Sequence, residues 1–331
     1  MRVLFVGPGV SGKYTSFHYS TDKKLRNGIT RLGHHCVAMS DRDAAQIAFG
    51  IRSLGRAYAN HTLLRIAESL KPDLVILILA HLISPKTIRQ LRKNVPACRI
   101  ANVEIDALTP RRLAYHKTLK GLVDMTFITS AGEWLGALRE DGIPSAYLPN
   151  ATDASIESAK VYDGNDFTYD MTYVASAPST SSRWDLVNRV EEVDPSLTIG
   201  RFGAGKKRVM GMDYFDVLSS SCAGLNWSAH NHIELYASSR IAQLFGCGNL
   251  VCLYRGSGLH RFFTEEQALF FNDPDDLAQK LASTVRGGEW RSMAQAGQKR
   301  YRASFNETAV ADFIVKRTMG EDTSHFEWSE I

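Results

Sequence analysis

The sequence predicts an α/β fold with two doubly wound halves. The expected strands are short, continuous apolar runs, which is typical of parallel strands covered by helices on both faces. The alternation of strand and helix lapses once, between residues 149 and 170, and then restarts. At 331 residues the chain is long enough for two domains with buried cores.

Residues 1–150 are expected to form one Rossmann-like domain. Its strands are predicted at residues 3–6, 35–39, 74–79, 99–103, 125–129 and 146–148. Its helices are predicted at residues 24–32, 62–70, 84–93, 110–119 and 133–140.

A polar segment at 151–170 is interpreted as an interdomain linker. The pattern then resumes over 171–305, which we expect to form a second Rossmann-like domain. Strands are predicted there at residues 171–175, 197–202, 223–226, 250–253 and 268–271, with helices near 182–192 and from 237 onward. Residues 306–331 are predicted to form a last amphipathic helix and tail.

Composition indicates an ordinary globular protein, with 44% hydrophobic and 22% charged residues. The first residues enter a strand directly, without the apolar core of a signal peptide, and the longest apolar run is too short to span a bilayer. The five cysteines are scattered, with no Cys-x-x-Cys pair. These features favour a reduced cytoplasmic protein, in a bacterial or a phage-infected cell.

The net charge of +4 is unevenly distributed. Residues 1–150 carry 21 Lys and Arg against 11 Asp and Glu, a net +10, and the remainder carries a net −6. A basic first half is expected to meet an anionic partner.

A glycine-rich segment follows the first strand, at residues 7–14 (GPGVSGKY). It matches G-x-G-x-x-G, with Asp41 as a late candidate for a ribose acid, which leaves an NAD site open. It also matches a Walker A loop, except that Tyr14 stands where Ser or Thr would hold magnesium. The interpretation we favour is a loop beside an interdomain cleft.

Two further patterns are interpreted as structural. Asp273 precedes Pro274 and two more acids, which is ordinary helix capping, whereas Asp41 and Asp43 are expected in a solvated turn.

His230 and His232 lack partners at zinc-ligand spacing. They follow a strand, so we expect them in a loop at the carboxyl end of the sheet, where open α/β sheets bind ligands.

Residues 239–305 carry the most specific pattern in the chain. A helix entered at residues 237–239 (Ala-Ser-Ser) stops at Gly-Cys-Gly, and an apolar strand, a glycine-rich turn, a second short strand and a helix cap follow in that order. This succession resembles the C-terminal half of group 1 glycosyltransferases of the GT-B fold, in particular the spore-maturation-protein-like subgroup. The resemblance implies two Rossmann-like domains facing a central cleft, a C-terminal helix that crosses back to the first domain, and a nucleotide-sugar site in the second. It also implies transfer without a bound metal.

Arg240 lies in the first turn of this helix, whose free N–H groups and hydroxyl cap predict an anion site. The subgroup's Arg-x-Phe-Glu is Arg240-Ile-Ala-Gln243 here, so an amide replaces the carboxylate that grips the ribose hydroxyls. The candidate donor-binding residues are Arg183, Arg201, Lys206, Asn226, His232, Ser239, Arg240, Gln243 and Gly258.

Glu104 and Asp106 follow the strand at 99–103 and share one strand face. Asp106 matches an acid common at this place in the subgroup, and both are candidate catalytic residues for deprotonating an acceptor hydroxyl. Asp106 as a simple turn residue stays open. The candidate acceptor-binding residues are Gly9, Gly12, Lys13, Tyr14, His18, Arg111 and Arg112.

The leading hypothesis is a glycosyltransferase that uses a UDP- or GDP-type nucleotide sugar as co-substrate and an anionic acceptor. One candidate acceptor is DNA carrying a hydroxymethylated base. The alternative is a lipid-linked or polysaccharide acceptor at an anionic membrane surface. Because Gln243 departs from the family pattern, a non-catalytic nucleotide-sugar or nucleic-acid binding module is a hypothesis from another class.

Overall fold

The computed structural model describes residues 1–9, 17–51, 54–203 and 209–331. These residues divide into two compact units, Met1–Pro149 with Glu307–Ile331, and Asn150–Asn306. Four of the candidate site residues lie outside the described residues, namely Gly12, Lys13, Tyr14 and Lys206.

The first unit contains a six-stranded parallel sheet in the order β2-β1-β3-β4-β5-β6. Its five-residue central strand β3 is buried along its whole length, which explains the unbroken aliphatic sequence LVILI. The chain order reverses between β1 and β3, so the carboxyl ends of these two strands mark a topological switch point. The strands are β1 (Arg2–Gly7), β2 (His35–Ser40), β3 (Leu74–Ile78), β4 (Arg99–Glu104), β5 (Met125–Ile128) and β6 (Ser145–Tyr147).

Helices connect these strands and carry clear start signals. Ser84 and Thr109 cap two of them through their side chains, each just before a proline. The helices are α1 (Thr21–Arg31), α2 (Asp41–Phe49), α3 (Arg56–Leu70), α4 (Pro85–Asn94), α5 (Pro110–Lys117) and α6 (Glu133–Glu140).

Helix α2 corrects one prediction. Asp41 and Asp43 were expected in a solvated turn, but they form the first turn of α2, and Asp41 is fully buried. The Ser40 hydroxyl accepts a hydrogen bond from the Asp43 backbone N–H at 3.0 Å. A serine cap followed by acids in the first turn favours a helix start, so the two acids stabilise this helix end.

The C-terminal residues pack with the first unit. Helix α12 (Glu307–Met319) lies against α1, where Gly28 allows the close approach. A Cβ atom at Gly28 would lie 2.1 Å from the Glu307 carbonyl oxygen. Because these residues are acidic, the whole unit has 23 Lys and Arg against 17 Asp and Glu, a net +6 instead of +10.

The second unit contains a five-stranded parallel sheet in the order β11-β10-β9-β7-β8. Its switch point lies between β7 and β9. The strands are β7 (Tyr169–Val174), β8 (Ile199–Phe202), β9 (Ser221–Asn226), β10 (Leu250–Tyr254) and β11 (Leu269–Phe271), and the helices are α7 (Asp185–Val193), α8 (Met212–Ser219), α9 (Arg240–Cys247), α10 (Pro274–Gly287) and α11 (Trp290–Ser304).

The segment interpreted as a linker is packed into the second unit. Asp153 and Glu157 are fully buried, and the Asp153 backbone N–H donates to Glu157 Oε2 at 2.8 Å. The Tyr301 hydroxyl donates to the Asn150 carbonyl oxygen at 2.7 Å. These polar groups satisfy one another, so the polarity of the segment does not indicate solvent exposure.

The predicted fold class is confirmed, with two parallel-sheet α/β units. All five cysteines are free thiols. Within the described ranges, no helix combines the length and apolar character needed to cross a membrane.

Candidate functional site

The first candidate site lies at the switch point of the second sheet. Tyr173, near the end of β7, donates its hydroxyl to the Trp227 carbonyl oxygen just after β9, at 2.8 Å. The Trp184 indole packs edge-on against Tyr173 and donates to the Pro178 carbonyl oxygen at 2.8 Å. The loops after the two strands are therefore held in place by buried aromatic side chains.

Arg240 is anchored at the same point. Its Nη1 donates to the Trp227 carbonyl oxygen at 3.3 Å, and its guanidinium carbon lies 5.2 Å from the centre of the Tyr173 ring. Arg240 begins α9, so its charge adds to the positive end of the helix dipole.

The predicted hydroxyl cap of this helix is wrong. Ser239 has a helical backbone conformation, and its side chain makes no capping hydrogen bond. The neighbouring Ser238 hydroxyl donates to Asn226 Oδ1 at 3.0 Å. The first turn is closed by backbone bonds, including Ile241 N–H to the Ser238 carbonyl at 3.0 Å. The helix is entered through a tight turn, which removes the need for a side-chain cap.

The pKa values of His230 and Tyr173 indicate which charged groups lie near them. The pKa of His230 is lowered by burial first, and then by the charges of His232 and Arg183. Burial raises the pKa of Tyr173, while Arg240 and Arg183 act in the opposite direction. Both arginines therefore lie close enough to Tyr173 to influence it, and His230 is neutral at neutral pH.

The remaining donor-site candidates are held by neighbours. Gln243 is 4% exposed and its Oε1 accepts a hydrogen bond from the Tyr214 hydroxyl at 2.7 Å. Arg201 forms an ion pair with Glu191. Gly258 has φ of 79°, and a Cβ atom there would lie 3.4 Å from Leu235 Cδ2.

The chemistry of this first site follows from its cations. Arg240 and Arg183 supply delocalised positive charge beside a helix N-terminus, an arrangement suited to phosphate oxygens. Sequence reasoning found both arginines but missed Tyr173 and Trp227, which orient Arg240. Both aromatic residues belong to apolar-looking strand ends, so only the tertiary contacts reveal them.

The second candidate site lies in the first unit, at the end of β4. Glu104 is 2% exposed, and its Oε1 lies 2.8 Å from Arg112 Nη1 and accepts from the Asp106 backbone N–H at 3.1 Å. Asp106 is half exposed, and its Oδ2 accepts from Arg112 Nη2 at 2.6 Å. Arg112 thus joins the two predicted carboxylates.

Two histidines approach the other oxygen of Glu104. The Nε2 atoms of His81 and His116 each lie 3.8 Å from Glu104 Oε2. His116 is buried, and its Nδ1 lies 3.1 Å from the Asn102 amide nitrogen. Since an amide N–H can only donate, His116 Nδ1 accepts, and its proton is on Nε2, facing Glu104.

Burial dominates the electrostatics of this cluster. It raises the pKa of Glu104 to about 7, with Arg112 opposing the shift and Asp106 adding to it. Burial also lowers the pKa of His116 to about 4 and lowers that of His81. At neutral pH both histidines are neutral, and Glu104 titrates.

A cavity of about 420 Å³ adjoins the cluster. It is lined by Arg56, His81, Thr109, Arg111, Arg112 and Tyr115. The structure therefore brings the predicted Arg111 and Arg112 together with the carboxylates. Sequence reasoning missed His81 and His116, although His81 follows a buried strand, which is the signal that identified the loop containing His230.

Gly9 and His18 lie elsewhere in the first unit. Gly9 lines a separate cavity of about 270 Å³ together with Asp22, Arg26 and Asp43, beside the ends of β1 and β2. The His18 ring packs edge-on against Tyr19. Among the described residues, neither of them lines the cavity beside Glu104.

Comparison with solved structures defines the fold as GT-B. HepE from Anabaena, solved with UDP and glucose, aligns over 97% of this chain and 100% of its own with a TM-score of 0.61 and 12% identity. A glycosyltransferase from Rickettsia africae gives a TM-score of 0.62 at 11% identity, over 96% and 98% of the two chains. Sucrose-phosphate synthase from Thermosynechococcus elongatus gives 0.60 at 12% identity, over 96% and 98%.

A family model described as Glycosyl transferase-like matches residues 183–316. The matched stretch contains Arg183, Arg240 and Gln243 of the first candidate site. No curated protein sequence matches this chain.

Proposed function

We propose that this protein is a glycosyltransferase that moves a sugar from a nucleotide-diphosphate sugar to a hydroxyl of an anionic acceptor. The observation that carries the proposal is the position of Arg240 and Arg183 at the switch point of a GT-B second sheet, within the stretch that matches the family model. We also assign the chain to the spore-maturation-protein-like subgroup, on the order of the motifs in residues 239–305.

In this proposal the second unit binds the donor. Breaking the bond between the sugar C1 and the diphosphate leaves negative charge on the nucleotide. Arg240 and the start of α9 stabilise that charge, so a bound metal is not required for this step. The solved neighbour HepE holds UDP, which favours UDP over GDP as the first donor to test.

Gln243 has a defined role in this proposal. Its Oε1 is engaged by the Tyr214 hydroxyl, so the group left for a ribose hydroxyl is the amide Nε2, a donor. A glutamate at this position would offer acceptors only. We propose that the ribose is bound here through an interaction of reversed direction, which weakens binding without removing it.

The first unit binds the acceptor in this proposal. Its cavity of about 420 Å³ is lined by three arginines and adjoins Glu104 and Asp106, the predicted catalytic carboxylates. Cationic walls suit an acceptor that carries phosphate or carboxylate groups. The reducing cytoplasm, where nucleotide sugars are made, is the proposed compartment, and the five free thiols are consistent with it.

A thermal-shift panel of UDP- and GDP-sugars tests the donor. Binding should raise the melting temperature, and release of the nucleoside diphosphate should follow on incubation. Binding without release, also in the presence of hydroxyl acceptors, would favour the non-catalytic binding module. A shift with NAD alone would favour the dinucleotide reading of residues 7–12.

Two acceptors fit a basic first unit, and one observation favours the membrane acceptor. Four large apolar side chains on and between α2 and α3 are exposed, namely Ile47, Ile51, Leu54 and Tyr58. Exposed apolar residues among arginines suit insertion into an anionic membrane surface better than contact with DNA.

Flotation with vesicles of phosphatidylglycerol distinguishes these acceptors. The membrane acceptor predicts flotation that an Ile47→Asp, Leu54→Asp double variant loses. The DNA acceptor, including a hydroxymethylated base, predicts instead a duplex affinity that falls steeply with salt and is unchanged in that variant.

A further inference from the structure

We propose that the cavity of about 420 Å³ in the first unit is a phosphate-binding site, in which Arg56 and Arg111 hold a phosphate group of the acceptor. The acceptor is therefore a small phosphate ester with a free hydroxyl. This proposal rests on the proposed function, which assigns an anionic acceptor to the first unit, and it names the anionic group and the side chains that select it.

The polar side chains around this cavity are hydrogen-bond donors. Among the described residues, neither a carboxylate nor a carboxamide belongs to its lining, which consists of Arg56, His81, Thr109, Arg111, Arg112 and Tyr115. A guanidinium group only donates, and the Thr109 hydroxyl oxygen already accepts from the Arg112 backbone N–H at 3.4 Å, so its proton is available to a ligand. Phosphate offers acceptor oxygens alone, whereas each hydroxyl of a neutral sugar also donates and needs an acceptor in the protein. The lining therefore matches phosphate better than an uncharged sugar.

The charge balance of the cavity favours phosphate over a carboxylate. Arg112 is neutralised by Glu104 and Asp106, whose oxygens lie 2.8 and 2.6 Å from its guanidinium nitrogens. Among the described residues, neither Arg56 nor Arg111 forms an ion pair, so two positive charges remain at the cavity wall. A phosphate monoester carries a charge of about −1.5 to −2 at pH 7, roughly twice that of a carboxylate. Its charge matches the two arginines.

Both arginines begin helices, which adds to the positive potential of the cavity. Arg56 is the first residue of α3, and Gly55 before it provides no side-chain cap. Arg111 is the second residue of α5. The partial positive charge of a helix N-terminus attracts anions, so the two helix starts and the two side chains act in the same direction.

Neutral groups hold Arg56 in place. Its Nε donates to the Leu82 carbonyl oxygen at 3.1 Å. The Asn60 side-chain amide donates to the same oxygen at 2.8 Å and to the Arg56 carbonyl oxygen at 2.6 Å. These bonds join the start of α3 to the loop after β3 and leave the terminal guanidinium nitrogens for a ligand. A guanidinium fixed in this way loses less conformational entropy when it binds.

The size of the cavity limits the ligand to a small group. A volume of about 420 Å³ is typical of small-molecule sites and suits a sugar phosphate or the headgroup of a phospholipid. Leu54 and Tyr58, two of the exposed apolar residues, flank Arg56 in the chain, so a headgroup at a membrane surface is close to it. A soluble ester and a lipid-borne ester share the same phosphate chemistry, and binding experiments distinguish them.

Calorimetric titration with glucose 6-phosphate tests the site. The wild type should bind it, and Arg56→Ala and Arg111→Ala should each weaken binding about 10- to 100-fold, as expected when a charge-assisted hydrogen bond is lost. Arg111→Lys should keep part of the affinity, because an ammonium keeps the charge but not the fork. Arg65→Ala removes an exposed arginine of α3 outside the cavity and is the matched control, with wild-type affinity expected.

Two sugars that lack the phosphate sharpen this titration. Glucose should bind at least about tenfold more weakly than glucose 6-phosphate, because it brings no charge to the arginines. Glucuronate should lie between the two, because its carboxylate carries one negative charge. Unchanged melting temperatures of the unliganded variants serve as the folding control.

Flotation with vesicles distinguishes the source of the phosphate. Phosphatidylcholine vesicles with phosphatidylinositol 4-phosphate present a phosphate monoester at a membrane, and phosphatidylinositol is the matched lipid without it. Flotation with the 4-phosphate alone, lost in Arg56→Ala and in Arg111→Ala, indicates a lipid-borne acceptor. Binding of glucose 6-phosphate without such flotation indicates a soluble acceptor. Either result supports the site.

The rate of UDP release from UDP-glucose links the cavity to transfer. Saturating glucose 6-phosphate should change this rate in the wild type, by accepting the sugar or by displacing water, and it should have no effect in an Arg56→Ala, Arg111→Ala double variant. An unchanged rate at saturation in the wild type would overturn the acceptor role.

Three binding results would overturn the phosphate site. These are failure of the wild type to bind either phosphate ester, binding of glucose or glucuronate as tight as that of glucose 6-phosphate, and wild-type affinity in both arginine variants. Cleavage of a UDP- or GDP-sugar in any of these cases leaves the proposed function intact. Conversely, arginine-dependent binding of glucose 6-phosphate by a protein that neither binds nor cleaves any UDP- or GDP-sugar overturns the proposed function and the acceptor role together, while the phosphate site remains.

Discussion

The two candidate sites hold their arginines in opposite ways. In the first unit, Arg112 lies between Glu104 and Asp106, and its charge is balanced by carboxylates. In the second unit, the contacts of Arg240 are a backbone carbonyl and the face of an aromatic ring. An arginine between two acids tunes their pKa, whereas one held by neutral groups keeps its charge for a ligand.

The candidate sites of the two sheets differ in their chemistry. Both clusters lie at the carboxyl ends of parallel strands, beside a reversal of strand order. In the second unit, Arg240 has no acidic partner among the described residues, which suits binding of a diphosphate. The first presents titratable groups near neutrality, as proton transfer requires.

The largest expected effect is that of removing the charge of Arg240. Arg240→Ala should lower kcat/KM for UDP-glucose about 10²- to 10³-fold, because the leaving diphosphate loses a preorganised cation. Arg240→Lys should recover only part of this, since an ammonium cannot form the same forked contact. Initial rates of UDP release provide the measurement.

Arg286→Ala is the matched control for Arg240. Arg286 belongs to the same unit but forms an exposed ion pair with Asp194. Its loss should leave the rate unchanged and alter stability by less than about 1 kcal/mol. Equal rates of UDP release for Arg240→Ala and Arg286→Ala would contradict the role of Arg240 in stabilising the leaving diphosphate.

The next prediction concerns Arg112, whose charge is balanced by Glu104 and Asp106. The charge of Arg112 lowers the pKa of Glu104 and of His81, so Arg112→Met should move the ascending limb of the pH–rate profile to higher pH. Asp106 acts in the opposite direction on both groups, so Asp106→Asn should move the limb to lower pH. A displacement of about one pH unit corresponds to a tenfold change in rate on that limb.

Opposite displacements in the two variants are the diagnostic result. If both variants lose activity at every pH with the limb unmoved, Arg112 and Asp106 act through structure and not through the titration of the cluster. UDP-glucose binding to each variant, measured by thermal shift, serves as the folding control.

The sequence predicted much of the fold because parallel strands buried on both faces have a clear signature. The run LVILI of β3 is short, continuous and rich in β-branched residues, which predicts a strand buried on both faces. Helix α2 was missed because Asp41 and Asp43 read equally well as a turn until Ser40 is seen to cap them. The polarity of residues 151–170 predicted a linker, and the sequence could not show the burial of its polar groups, which depends on partners far along the chain such as Arg302 for Glu157.

The candidate site was predictable only in part, for a related reason. Arg240 and Glu104 were found because they follow strands or begin a helix, and that position is local information. His81 was overlooked since its significance depends on Glu104, which is 23 residues away in the sequence and 3.8 Å away in space. Tyr173 has an apolar neighbourhood that hides its contact with Arg240.

The smallest expected effect is that of substituting Gln243. A carboxylate at this buried position can be compared with the buried Glu104 of the other site. Gln243→Glu introduces a carboxylate that accepts from Tyr214 and from a ribose hydroxyl, so KM for UDP-glucose should fall a few-fold with kcat little changed. Tyr214→Phe should have the opposite effect on KM, since it removes the hydrogen bond that orients the Gln243 amide. If Gln243→Glu instead raises KM, burial outweighs the new hydrogen bonds, and this carboxylate behaves as the buried Glu104 does, with a raised pKa.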